Sequence, residues 1–480
     1  MSLDGLDGES VFNTPCYGYN LDDLMSLPGH HAQGAGTVDL ATNFSKNVVI
    51  NTPLVAAPMP SVCEGKMALA VALAGGIGIV HCKCTPEYQA EQVLHVKRYA
   101  NGFIMDPRTL SQVSTLEDFD RIRERYGTAT VLVTEGGVMG SKLLGIVTSR
   151  DVELVADRKT KLSDVMTPRS KMQVAMEPIS LSEAMDQLRQ KKVAKLPILN
   201  EGMELVAMVT RKDMKKAWSN PLVSQDANKQ VLVGAAVEPK KSERERVNTL
   251  LEAGADVIVL NAAQGDSQAQ LDFLKWMKHQ YPTVDVVCGN VVTPRQAKPL
   301  LDAGADGLRV GMGCSSLYAS TEAAIIGRPQ ASAIYHVAKF ARQYGVPVIA
   351  DGGIQSSAHM SMALTVGASA VMCGSLFAGC TEAPGECFWL DGQKLKMYRG
   401  SGSFAVEGDQ AVEGGASCAV VERGPLGPLA TALLEGLKRD LRRLGESNVP
   451  MLHDDLYSAA VRFQVRVGPA MGSAMPALPP

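Results

Sequence analysis

Eight short apolar runs, separated by amphipathic stretches, constrain what this chain can fold into more than any other feature. They lie at 53–58, 76–80, 230–237, 256–260, 284–288, 307–310, 346–350 and 368–373. Between them, 242–253, 268–279, 295–303 and 331–344 carry helical periodicity. Such alternation reads as parallel β/α, and eight units are the number that closes a (β/α)8 TIM barrel. The tetrapeptide AGAD stands before two of the runs, at 253–256 and 303–306. Its glycine ends a helix and turns the chain into the next strand, a structural role. A barrel typically takes about 250 residues, so 480 residues leave room for a second domain.

The alternation breaks once, between the second and third runs. Segment 102–224 has another rhythm and an internal repeat: LLGIVTSRD at 143–151 is echoed by LVAMVTRKD at 205–213. Helix-like stretches at 115–126 and 180–191 precede the two copies. Two small αββα units, neither with enough apolar face to stand alone, make one inserted domain. The chain then divides into a first barrel part (1–101), the insert (102–224), a second barrel part (225–466) and a tail (467–480). The tail, with its Pro and Met residues, reads as disordered.

Charge and cysteine usage narrow the function class. With 47 basic and 50 acidic residues and no basic block, a nucleic-acid-binding surface is not expected. The ten cysteines lack zinc-type pairing and read as reduced thiols of a cytoplasmic protein. With the first ten residues polar and acidic, no signal peptide is expected. The longest apolar run, 67–80, falls short of the ~18 residues of a membrane span, so no membrane association is expected.

A barrel's active site lies at the C-terminal ends of its strands, often with phosphate held by the loops after strands seven and eight. The sequence supplies ADGGI (350–354) and CGSL (373–376) at those two places. Glycines let backbone N–H groups approach phosphate oxygens, and Ser375 adds a hydroxyl. Either loop alone could be a plain turn. Together they point to a phosphorylated ligand.

Longer matches carry a family resemblance: GGIGIVH (75–81), CTPE (84–87), GNVVT (289–293), LRVGMG (308–313), GRPQA (327–331), VPVIADGGI (346–354), TEAPGE (381–386) and YRG (398–400). From about residue 25 to 424 the chain resembles the IMP dehydrogenase/GMP reductase family, and IMP dehydrogenase more than GMP reductase. The insert resembles paired CBS modules, which bind ATP or GTP. In such modules the matching Asp151 and Asp213 would grip a ribose, although both could equally be helix N-caps. The resemblance implies attack of a cysteine thiolate on C2 of IMP, hydride transfer to NAD, and hydrolysis by a flap arginine. It also implies a barrel-to-barrel homotetramer.

By that resemblance the IMP site comprises Met59, Asn290, Arg309, Ser316, Asp351, Gly352, Gly353, Gly374, Ser375, Tyr398, Gly400, Gly402, Glu413 and Gly414. Arg309 could instead be a barrel-interior ion pair, and Met59 plain core. The NAD positions are Asn261, Ala262, Ala263, Gly311, Met312 and Gly313, and backbone carbonyls of Gly313, Ser315 and Tyr318 would hold potassium.

The reactive positions depart from the family. The loop reads GCSSLYAS at 313–320, so Tyr318 stands where the nucleophilic cysteine belongs, with Ser320 two residues on. A phenol of pKa ~10 is mostly neutral at pH 7 and far bulkier than a thiol. Cys314 lies four residues too early and reads as a buried inert thiol unless the loop shifts register. Asn261-Ala262-Ala263 replaces the family's NAD-contacting Asp-Ser-Ser, and 404–412 is short and lacks the Arg–Tyr pair. Glu413-Gly414 sits where dehydrogenases carry Gln-Gly and reductases carry Glu. Three readings follow: an IMP dehydrogenase of altered chemistry, a non-catalytic nucleotide-binding paralogue that co-assembles with an active homologue, and a GMP reductase-like enzyme.

Overall fold

The computed structural model describes residues 4–13, 17–30, 38–99, 103–104, 107–128, 130–153, 155–177, 179, 181–211, 220–262, 264–314, 326–399 and 417–466. All eight apolar runs become parallel strands: β1 (Leu54–Ala56), β2 (Ile77–Val80), β3 (Val233–Val237), β4 (Val257–Leu260), β5 (Asp285–Val291), β6 (Gly307–Val310), β7 (Val348–Asp351) and β8 (Ala370–Cys373). They close into a barrel in the order β3-β4-β5-β6-β7-β8-β1-β2, with β2 pairing back onto β3. Nearly every strand residue is buried, as expected where both faces of a parallel sheet are covered. Alternate positions fill the interior: Val55, Ile77, Ile79, Ala236, Val257, Val259, Val287, Ile349, Ala370 and Met372 form one cluster. This is the period-2 rule of a pleated strand applied around a closed cylinder.

The outer helices are α1 (Gly65–Leu73), α2 (Pro86–Lys97), α3 (Arg244–Glu252), α4 (Gln268–Gln280), α5 (Pro294–Asp302), α6 (Gln330–Ala341), α7 (Ser357–Thr365), α8 (Leu426–Leu444) and α9 (Val449–Tyr457). The two AGAD turns superpose in conformation, since Gly254 and Gly304 both have φ +93°. Their aspartates do more than turn the chain. Asp256 accepts from Val233 N and Lys97 Nζ, and Asp306 from Val286 N and Lys278 Nζ, all at 2.8 Å. Each therefore ties the start of the preceding barrel strand to a helix.

Buried glutamines do the corresponding work at the opposite strand ends. Gln89 Nε2 donates to Val80 O (3.1 Å) and Ala236 O (2.8 Å). Gln270 exchanges bonds with both backbone groups of Gly289. Gln330 Nε2 donates to Val310 O (3.0 Å) and Asp351 O (3.1 Å). A helix side chain thus satisfies carbonyls that the ladder leaves open where the strands splay.

Beyond the barrel, β9 (Cys387–Leu390), β10 (Gln393–Arg399) and β11 (Ser417–Val421) form an antiparallel sheet. Another small sheet pairs Arg462–Val465 with Leu6–Asp7 and Leu24–Ser26. The sequence reading anticipated neither.

A second compact unit comprises Arg98–Pro221 and Gln225–Val231. Residues 222–224, counted with the insert in the sequence reading, pack with the barrel, because Ser224 bonds Ala72 O and Gly75 O. Within the second unit the repeat is a pair of four-stranded sheets. One orders Thr167–Pro168, Leu143–Thr148, Thr130–Thr134 and Thr109–Ser111; the other orders Ala175–Met176, Lys195–Leu199, Leu205–Thr210 and Phe103–Ile104. Phe103–Ile104, ahead of the first copy, pairs into the second copy's sheet, and Thr167–Pro168, ahead of the second, pairs into the first copy's. Leu132, Leu143, Ile146, Leu199, Leu205 and Met208 then make a core shared by both. Among the described residues no helix is long and apolar enough to cross a membrane.

Candidate active site at the barrel mouth

The ends of β4 to β7 carry a continuous polar network. Arg309, near the end of β6 and only 8% exposed, donates from Nε to Asp351 Oδ2 (3.0 Å) and from a terminal nitrogen to Asn261 Oδ1 (3.0 Å). Its second terminal nitrogen also lies 3.0 Å from Asp351 Oδ2. Asn290 Nδ2 donates to Gly311 O (2.7 Å) and Asp351 Oδ2 (2.9 Å). Asp351 Oδ1 takes no hydrogen bond among the described residues and remains an acceptor. Asn290 Oδ1 is buried and unpartnered among them. The ion-pair reading of Arg309 is what the structure shows: the guanidinium orients an aspartate that keeps one oxygen available.

Gly311 explains how β6 and β7 approach so closely. With φ +147°, a Cβ there would fall 1.8 Å from Asp351 O. Gly352 and Gly353, at φ +100° and +75°, turn the chain away from β7 in a conformation that side chains disfavour.

A second cluster lies at β8. Tyr398, on β10 and 3% exposed, has its hydroxyl 3.6 Å from Met59 Sδ; the nearby Ser375 backbone N–H favours its ionised form, but less than burial opposes it. A Cβ on Gly374 would lie 2.6 Å from that hydroxyl, so glycine there makes room for Tyr398. Burial first, then the charge of Asp351, push the phenol well above its ordinary pKa. Tyr398 is therefore neutral, and the two clusters sense each other.

Cys314 is placed but not activated. Its thiol lies 3.1 Å from Gln330 Oε1 and 3.7 Å from Asp351 O. Burial, reinforced by the Asp351 charge, pushes it up to about 12. A thiolate nucleophile needs the opposite shift. Tyr318, Ser315, Ser316, Ser320, Ala263, Gly400, Gly402, Glu413, Gly414 and Asp213 lie outside the described residues, as does the tail 467–480.

Two features escaped the sequence reading. Gln330 joins Cys314, β6 and β7; a glutamine after Pro in a helix's first turn offers only a faint signal. His81, 3% exposed at the end of β2, has Nε2 3.4 Å from Glu64 Oε1, and its Nδ1 accepts from Lys83 N at 3.1 Å. In the second unit, one alternative for Asp151 needs correction. Thr148 is the N-cap, and Asp151 is the third helical residue of a capping box, with Oδ2 accepting from Thr148 N (2.7 Å) and Oγ1 (2.8 Å).

Fold and geometry together define an α/β barrel whose buried polar network gathers at the carboxyl ends of its strands, the end where such barrels carry their sites. The chain belongs to the IMP dehydrogenase / GMP reductase family, whose domain profile matches residues 18–467. It is 49% identical to an inosine-5'-monophosphate dehydrogenase of Toxoplasma gondii, over 84% of this chain and 73% of that protein. It is 42% identical to the Schizosaccharomyces pombe enzyme of the same name, over 95% of this chain and 90% of the other. Among solved structures, a cysteine-to-alanine variant of Trypanosoma brucei GMP reductase with guanosine 5'-monophosphate matches with TM-score 0.79 and 35% identity. That match covers 96% of this chain and 97% of the other.

Proposed function

We propose that the barrel mouth binds a purine nucleoside monophosphate, IMP foremost, and that the chain is an IMP dehydrogenase-like protein whose covalent chemistry is impaired. The observation that carries this reading is the Asn290–Arg309–Asp351 network, with Asp351 Oδ1 still open as an acceptor for a ribose hydroxyl. Tyr398, Gly374 and Ser375 support it as a preformed phosphate end. What opposes turnover is the nucleophile. Tyr318 occupies the family's cysteine position, and Cys314 is held protonated by burial.

The family resemblance brings NAD as the hydride acceptor, and the residues present fit it poorly. Asn261 spends its amide oxygen on Arg309, leaving a donor where ribose hydroxyls would meet a carboxylate. A GMP-directed reading is favoured by the likeness to GMP-bound GMP reductase. The inserted unit is proposed as a CBS pair for ATP or GTP, and the assembly as a homotetramer or a mixed oligomer with an active homologue in the cytoplasm.

Calorimetry with IMP and with GMP should show binding. Denaturing mass spectrometry after incubation with IMP and NAD should show unmodified chain, because adduct formation needs a thiolate about 3–3.5 Å from C2. Assays with IMP plus NAD, and with GMP plus NADPH, should give little or no turnover. A robust wild-type dehydrogenase rate abolished by Cys314→Ala would overturn the account, since the loop would then have moved its nucleophile rather than lost it.

A further inference from the structure

Lys396 is buried on β10, at 2% exposure, and has no carboxylate within ion-pairing distance among the described residues. Its Nζ donates to two backbone carbonyls, Cys380 O and Ala383 O, each at 2.7 Å. Both belong to the turn that follows the short helix Ser375–Ala378. That turn is itself closed by Cys380 N to Phe377 O and Ala383 N to Cys380 O. Taking an ammonium out of water is costly unless its hydrogen bonds are strong, so a lysine here needs a reason that a methionine would not satisfy.

Geometry supplies one. Lys396 and Tyr398 are two apart on one strand and therefore point to the same face. The next residue, Arg399, is fixed to the barrel as well: its N–H donates to Ser61 Oγ (3.1 Å), and Ser61 Oγ–H faces Arg399 O (3.3 Å). The strand is thus bolted down on either side of Tyr398. On one side the bolt is Lys396, and it grips the turn after the helix whose N-cap, Gly374, lies against the Tyr398 hydroxyl.

We propose that Lys396 is a positioning residue of the nucleotide site: its ammonium locks β10 onto the 380–383 turn and so holds the Tyr398 hydroxyl against Gly374 and Met59. This rests on the reading that the barrel mouth binds a purine monophosphate. Lys396 itself touches no ligand. It sets the distance between Tyr398 and the Gly374-Ser375 loop, and loss of the two bonds lets the strand drift by the few tenths of an ångström that a binding contact does not tolerate.

Calorimetric titration of the full chain with IMP tests this on four proteins: wild type, Lys396→Met, Tyr398→Phe and the double variant. Lys396→Met should weaken IMP by 10-fold or more on the order of what positioning contacts contribute. Its thermal midpoint should fall as well, because Cys380 O and Ala383 O lose their buried donor, so affinities are compared at a temperature where every variant is folded. The double variant should bind no more than about 3-fold worse than the weaker single, because the two residues act as one unit. Lys396→Gln, which keeps an N–H donor, should fall between wild type and Lys396→Met, and it serves if the methionine variant does not fold. Unchanged IMP affinity in either folded variant overturns the proposal, as do losses that multiply in the double. A wild-type chain that binds neither IMP nor GMP overturns the binding reading itself and removes this inference with it.

Discussion

The thiol of Cys314 donates toward Gln330, and Gln330 in turn donates to the carbonyls of Val310 and Asp351. One amide therefore anchors the start of the reactive loop and the ends of two barrel strands. Gln330→Leu should remove the amide donor from both carbonyls, leaving Asp351 O only the thiol of Cys314 at 3.7 Å, costing about 1–3 kcal/mol and measurable as a lower urea midpoint. If the midpoint is unchanged, the anchoring role fails. Tyr318→Cys should not restore full turnover, because Asn261 still offers an amide where the family has a carboxylate and 404–412 still lacks an arginine. Steady-state assay of that variant checks this, and a rate equal to that of an active relative would show that the other departures do not matter. At this scale the sequence exposed substitutions well, since each was a mismatch at a known motif position. It could not expose Gln330 or Lys396, whose roles exist only through carbonyls brought to them by the fold.

At the scale of elements, all eight barrel strands were legible because each is an apolar run of the right length. The β9–β10 hairpin was legible in principle and went unread. Asp391-Gly392, at φ +49° and +75°, is the residue pair a two-residue hairpin turn favours. The small sheet joining Arg462–Val465 to the N-terminal segment pairs residues more than 400 positions apart, and no local pattern signals such a contact. Helices α8 and α9 carry a pH prediction. His453 on α9 has Nε2 3.2 Å from Leu364 O and 3.0 Å from Ala368 O, and burial drives its pKa from 6.5 to about 4. Glu446, between the two helices, is raised from 4.5 to about 7 by burial and by its hydrogen bond with Asp455. The signs oppose. As pH falls from about 6.5 towards 4, the unfolded chain gains a proton at His453 that the native state refuses, so stability is lost. As pH falls from about 7 towards 4.5, the native state takes a proton at Glu446 before the unfolded chain does, so stability is gained. Urea midpoints at pH 5 and 7 should separate the two groups. His453→Gln should make the protein relatively more stable at pH 5, and Glu446→Gln relatively less; the same sign of change in both would refute the assignment.

For the whole molecule, the chain splits into a barrel unit and an inserted unit, each with its own core. The insert's two copies are interdependent, because each sheet borrows a strand from beside the other copy. Cutting between the copies should therefore unfold both. If the insert is a nucleotide-binding pair, ATP or GTP should raise the thermal midpoint, since a ligand that binds only the native state at about 100 times its Kd adds about 2.7 kcal/mol. Asp151 already caps its helix through Thr148, so Asp151→Ala lowers the midpoint of the ligand-free protein for a reason unrelated to ligand. The informative quantity is the ligand-induced shift, not the absolute midpoint. In an Asp151→Ala, Asp213→Ala double variant that shift should shrink, because a carboxylate that accepts from Thr148 through one oxygen, Oδ2, keeps its other oxygen for a ribose hydroxyl. Differential scanning fluorimetry with and without each nucleotide reads it directly. A shift as large as wild type's, on a lowered baseline, would leave Asp151 with its capping role alone and remove both aspartates from the nucleotide site.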